Sequence, residues 1–175
     1  MTSVTYVGLI KRIALHLLVA AAVSTVVGCA QYSDRRARPG ADNSAERWQG
    51  RIAVVVESSP KQAFSANFDL QGDSQSGQME LSTPLGTSLA RLQWSTQDAH
   101  LEAGGTTRAY PSLRELTLAA MGAELPLDAL LQWLRGVPAT SEGWQSDLRE
   151  FESGRFNAQR LTPEPRVNLK IILDR

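Results

Sequence analysis

From Phe64 to Gln71 the chain alternates without a break. Phe64, Ala66, Phe68 and Leu70 fall on one parity, and Ser65, Asn67, Asp69 and Gln71 on the other. A period of two puts every apolar side chain on one face of an extended strand and every polar one on the other. Such a strand needs an apolar layer against one face and water against the other, which is the usual condition of an antiparallel sheet. The pattern recurs. Met79 and Leu81 alternate with Gln78, Glu80 and Ser82, and Ser88, Ala90, Leu92 and Trp94 alternate with Leu89, Arg91 and Gln93. Val167, Leu169, Ile171 and Leu173 alternate with Asn168, Lys170, Ile172 and Asp174. The β-branched run Arg51–Val56 reads as another strand. Turn chemistry at Gly72–Gly77 and the pair Gly104-Gly105 mark two hairpins, the second joining His100–Ala103 to Thr106–Tyr110. Trp144–Phe151 and Arg155–Leu161 complete the predicted strands.

Between the strand groups the period changes. Pro111-Ser112 opens a run carrying Leu113, Leu116, Ala120 and Met121, and Gly122 closes it. Pro126 stands just inside the start of a second run. There Leu127, Leu130, Leu131 and Leu134 fall at i, i+3, i+4 and i+7, with Gly136 beyond the end. That is the spacing of an amphipathic helix with its expected punctuation. An apolar helical stripe has to be covered, and the surface on offer is the inner face of the sheet. The expected fold class is mainly β with inserted helices: a strongly bent antiparallel sheet, a partial barrel, with a helical pair over one opening.

The first 28 residues are of another kind. Lys11-Arg12 precedes an apolar run, interrupted by His16, Ser24 and Thr25, that ends at Gly28. A basic start, a short apolar stretch and a small residue describe a targeting segment. Val26-Val27-Gly28 then leads into Cys29, the only cysteine in the chain. This tetrad resembles the lipobox of bacterial lipoproteins, in which the thiol is alkylated by diacylglycerol and cleavage falls before it. No Asp follows Cys29, which in such signals points to the outer membrane. Residues 30–44 are polar and aperiodic, the composition of a tether. The expected organisation is a signal at 1–28, a lipidated tether at 29–44 and one domain at 45–175. Residues 29–175 carry 16 basic and 18 acidic side chains, a net of −2, with no basic stripe to draw nucleic acid.

Chemistry is hard to place on this chain. It has neither G-x-x-x-x-G-K-[ST] nor G-x-G-x-x-G. After the signal one histidine, His100, and one thiol remain, too few for the usual zinc site. Gly86-Thr87-Ser88-Leu89-Ala90 approaches the nucleophile elbow, but that motif needs a strand-turn-helix and here the strand period continues. The expectation is therefore no catalytic residue, no metal and no cofactor. What remains is apolar material. Trp94, Trp133, Trp144, Phe64, Phe68, Met79 and Met121 either fill a closed core or line an apolar cavity under a helical lid.

The order of motifs resembles the LolB family of outer-membrane lipoprotein receptors. It runs from Trp48-x-Gly50-Arg51-Ile-Ala-Val and Phe64-Ser-Ala-Asn-Phe68-Asp-Leu to Leu81-Ser-Thr-Pro84-Leu85-Gly86-Thr-Ser-Leu-Ala. Then come Leu125-Pro-Leu-x-Ala-Leu-x-x-Trp133-Leu-x-Gly136-x-Pro138 and Leu169-Lys-Ile-Ile-Leu-Asp-Arg175. The resemblance spans residues 46–175. It implies an unclosed antiparallel β-barrel with a helical lid over a hydrophobic cavity for acyl chains. It further implies a receptor that accepts lipoproteins from the periplasmic carrier LolA and inserts them into the inner leaflet of the outer membrane. The receptor would be a monomer, anchored on the periplasmic face by its own lipid. On this reading Phe64, Phe68, Met79, Leu81, Leu92 and Trp94 from the sheet face Leu116, Leu130, Trp133 and Leu134 from the helices across the cavity. Pro84-Leu85-Gly86 forms an exposed hairpin tip that enters the membrane. The chain ends at Arg175 where some family members continue, which leaves the edge pairing of the last strand open. The competing reading is a lipid-anchored assembly or scaffold protein with a filled core.

Overall fold

A computed structural model describes residues 46–174. The predicted signal, Cys29 and the tether lie outside the described residues. Nine strands form one sheet: β1 Arg47–Val56, β2 Gln62–Gly72, β3 Gly77–Ser82, β4 Ser88–Trp94, β5 Ala99–Ala103, β6 Thr106–Tyr110, β7 Trp144–Asp147, β8 Arg155–Arg160 and β9 Val167–Leu173. Two helices, α1 Leu113–Met121 and α2 Leu127–Leu134, stand between β6 and β7 in the chain. The strand order is β6-β5-β4-β3-β2-β1-β9-β8-β7, every neighbour antiparallel. The last strand is thus not an edge. β9 pairs with β1 on one side and β8 on the other, and the edges are β6 and β7. The sheet does not close on itself, and the helices lead the chain from one edge to the other.

Register makes the inner face continuous. Phe156 stands opposite Ile171, Ile171 opposite Ile52, and Ile52 opposite Ala66. Another row runs Leu70, Met79, Leu92, Leu101. All of these are buried, while the alternate residues face outward. A one-residue slip in any pair would turn its apolar set to water, so burial itself fixes the register. Gly50 lets β1 approach β9. A Cβ there would lie 2.1 Å from the Ile172 carbonyl oxygen, so this position tolerates no side chain.

The helices are punctuated as their residues require. The Ser112 hydroxyl accepts the Glu115 N–H at 3.3 Å at the start of α1, and Gly122 ends it in the left-handed conformation, φ 77°. Pro126 is the N-cap of α2, with extended backbone, rather than its first helical residue. One predicted strand is shorter than expected. The run 144–151 stops at Asp147, whose carboxylate accepts the Arg149 backbone N–H at 3.1 Å. This local turn competes with the ladder, and a short 3-10 segment, Phe151–Ser153, follows.

Helix α1 carries Thr117, the one buried polar side chain among the described residues. The Thr117 hydroxyl donates to the Arg114 carbonyl at 3.0 Å and accepts the Leu125 N–H at 3.0 Å. Both sides of its chemistry are satisfied, and α1 is tied to the entry of α2.

Candidate functional site

The described residues of the expected site fall in two places: the inner face under the helices, and the tip between β3 and β4. On the inner face, nine of the ten predicted lining residues are buried: Phe68, Met79, Leu81, Leu92, Trp94, Leu116, Leu130, Trp133 and Leu134. Phe64, opposite Val54, is half-buried and packs against the same cluster. The structure brings all ten into one apolar body.

The two tryptophans are held by their polar ends. The Trp94 indole N–H donates to the Asp73 carbonyl at 2.8 Å. Its ring lies where a Cβ on Gly77 would come within 2.6 Å, so the absence of a side chain at Gly77 makes room for it. The Trp133 N–H donates to the Ala139 carbonyl at 3.1 Å, and its ring stands 6.1 Å from that of Trp144, tilted by 47°. Each indole thus meets its hydrogen-bond requirement at the margin and presents hydrocarbon inward. Helix α2 is covered more widely than a single stripe. Leu127, Ala129, Leu130, Leu131, Trp133 and Leu134 are buried, leaving Asp128 and Gln132 as its polar line.

Sequence reasoning left out the other half of this inner face: Phe156, fully buried on β8, with Ile171 and Ile52. The signal was present, since Phe156, Ala158 and Arg160 alternate within a predicted strand. Only the long-range pairing of β1 with β9 shows that they share a wall with Phe68 and Leu81.

A recess of about 370 Å³ opens at the seam between the helices and edge strand β7. Leu113, Leu125, Leu127 and Trp144 supply apolar lining. At its rim the Arg114 guanidinium meets Glu124 Oε2 at 2.7 Å.

The tip has the opposite character. The Gly86 N–H donates to the Thr83 carbonyl at 2.9 Å, the Thr83 N–H to the Thr87 carbonyl at 2.8 Å, and the Thr87 N–H to Thr83 Oγ1 at 3.1 Å. Pro84 fills the second position of this turn, where its fixed φ fits, and Gly86 takes φ 85°. Leu85 is 95% exposed. Nothing lies within 4 Å of a Cβ placed on Gly86, so the turn projects clear of the domain. Leu89, just beyond it, is also exposed, an apolar neighbour that the alternation had assigned to the outward parity.

Ser88 begins strand β4 and is followed by no helix, so the Gly86–Ala90 segment is no nucleophile elbow. His100 lies on β5 opposite Gln93 and Ala109. Among the described residues no group of three or more His, Cys, Asp or Glu is placed to hold a metal ion.

Residues 46–162 match the family model described as "Outer membrane lipoprotein LolB". Among curated proteins, an outer-membrane lipoprotein LolB of Bordetella petrii is 27% identical over 88% of this chain and 89% of its own length. That of Shewanella denitrificans is 28% identical over 94% of this chain and 79% of its own. That of Ectopseudomonas mendocina is 30% identical over 71% and 67%. With an open antiparallel barrel, a helical cover and a family match over well more than half of its length, this chain belongs to the LolB family.

Proposed function

We propose that this protein is an outer-membrane receptor that accepts lipoproteins from the periplasmic carrier LolA and inserts them into the inner leaflet of the outer membrane. It holds the acyl chains of its cargo against the inner face lined by Phe68, Met79, Leu81, Leu92, Leu130 and Trp133. It works as a monomer, anchored on the periplasmic side through lipid on Cys29. No bond is made or broken. Transfer is a passage of hydrocarbon from one apolar surface to another, which releases little free energy at any step and needs no catalytic group.

The observation that carries this reading is Leu85. A single exposed leucine is ordinary. One held 95% exposed at the end of a turn braced by three hydrogen bonds is a fixed apolar probe. A bilayer is the surface such a probe suits, because burying a leucine side chain contributes about 1.5–3 kcal/mol. The test is Leu85→Glu. The variant should fold, accept cargo from the carrier and fail to deposit it in liposomes. Native deposition by a folded, loaded variant would overturn the reading.

The filled-scaffold alternative draws on the low exposure of the same inner residues, which a solid core would share. Saturable binding of an apolar dye or acyl chain separates the two.

A further inference from the structure

Half of the cations among the described residues are in ion pairs. Arg47 pairs with Asp69, Lys61 with Glu57, Arg91 with Glu80 and Glu102, Arg114 with Glu124, Arg135 with Glu46, and Arg149 with Asp147. The outward face of β8, β9 and β1 is different. Arg155, Ile172 and Arg51 stand in one cross-strand row. Lys170 lies two residues from Ile172 along β9, diagonal to both arginines through Asn157 and Ala53. All three cations are exposed, and none forms an ion pair among the described residues. Direct cross-strand neighbours sit about 5 Å apart and diagonal ones about 7–8 Å, so the three charges share one small area. Of the other outward positions, Asn157, Gln159, Asn168, Gln49, Ala53 and Val55 carry no charge, and Arg47 is paired with Asp69. The carboxylates flanking this face in the ladder, Asp69 diagonal to Arg51 and Asp147 opposite Asn157, are each taken up by another arginine, Arg47 and Arg149.

Like charges placed this close repel, and the fold gains nothing from them. Residues 46–174 as a whole hold more carboxylates than cations, so this face is a positive island on a negative domain. Such an asymmetry orients a molecule in front of an anionic surface. Its place in the sheet says which surface. Ser82, which leads into the Leu85 turn, stands opposite Asn67, and Asn67 opposite Arg51. The two arginines are therefore level, along the strands, with the base of that turn. Lys170 is one outward step nearer the end from which the turn projects, in the row of Ser65 and Ala53. When Leu85 enters the hydrocarbon, these long side chains come to the depth of the head groups.

We propose that the outward face of β8, β9 and β1, through Arg51, Arg155 and Lys170, engages anionic phospholipid head groups of the acceptor membrane during delivery. The inference rests on the delivery role proposed above. Each cation near an anionic leaflet strengthens association about fivefold, and salt screens the effect.

The test uses the full-length, anchored protein in vesicles of phosphatidylethanolamine, alone or with phosphatidylglycerol, and follows deposition of carrier-borne lipoprotein. The native protein should deposit several-fold faster when phosphatidylglycerol is present, and added salt should erase the gain. The variant Arg51→Gln/Arg155→Gln/Lys170→Gln should lose the gain while loading cargo normally. Arg51→Lys/Arg155→Lys should retain it, since charge rather than guanidinium shape is at work. Arg108→Gln, an exposed cation on β6, should change nothing. A triple variant that keeps the anionic-lipid gain overturns the proposal. So does a triple variant that loads poorly on both kinds of vesicle, because that assigns the face to an acidic protein partner. Absence of any deposition by the native protein would instead defeat the delivery role itself.

Discussion

Leu85 and Leu130 are the same side chain put to opposite uses. Leu130 sits in a helix buried on almost every side and is 2% exposed; Leu85 is 95% exposed. Leu130 was ordered by the need to leave water. Leu85 is kept in water by its turn: Pro84 and Gly86 fix the backbone, and three hydrogen bonds close it with no help from the leucine. Removing Leu130 costs the fold, whereas Leu85 contributes nothing to it. An apolar residue that the fold does not use is available for something else.

The comparison can be broken first at its buried end. Trp133→Ala removes a fully buried indole, its contact with Trp144 and the hydrogen bond to Ala139. It should cost about 3–5 kcal/mol in a urea unfolding curve. A loss under 1 kcal/mol would mean that α2 is loosely seated. Thr117→Val keeps the shape but strips the hydroxyl, orphaning the buried Leu125 N–H, and should cost about 1–3 kcal/mol. Thr117→Ser should recover most of this, because the hydroxyl is kept.

The acid response should be smaller. The Arg47 guanidinium holds the Asp69 carboxyl below its ordinary pKa against the opposing pull of partial burial, with Gln49 adding a further hydrogen bond. A depressed carboxyl favours the fold above its unfolded pKa and loses that contribution as pH falls through the folded value. The pair is partly exposed, so its worth is at most about 1 kcal/mol. Stability should therefore be flat from neutral pH down to about 4 and decline below it, and Asp69→Asn should flatten part of that decline. Asp147, held at about 2 by Arg149, titrates in the same direction on a solvent-facing turn. Smallest of all on stability is Leu85→Glu, expected within about 0.5 kcal/mol of native, although its effect on delivery should be complete. A marked destabilisation would show that the turn leans on its leucine.

Much of this was legible in the residues, for a physical reason. Where water meets one face only, alternation is forced, so β2, β3, β4 and β9 could be read directly. The helices could be read from the leucine spacing and from Ser112 and Gly122. Pairing across long separations left no local trace: nothing near Ile52 announces Ile171. β1 begins at Arg47 rather than Arg51 because its first residues pair with Gln71, Leu70 and Asp69, although Trp48-Gln49-Gly50 does not look like a strand. The reach of burial around α2 was also hidden, because Trp133 lies off the leucine stripe and is covered by Trp144 from another part of the chain. The exposed tip was legible for the converse reason, since Pro-Leu-Gly between two alternating runs can only be a turn.

The open edge of the sheet has a mechanical consequence. β6 and β7 are joined through the two helices and not by a ladder, while the first and last strands are zipped together well inside the sheet. Widening the seam therefore breaks side-chain contacts but no hydrogen bond between strands. A sheet built in this way can open along that seam at modest enthalpic cost, with its first and last strands still clasped.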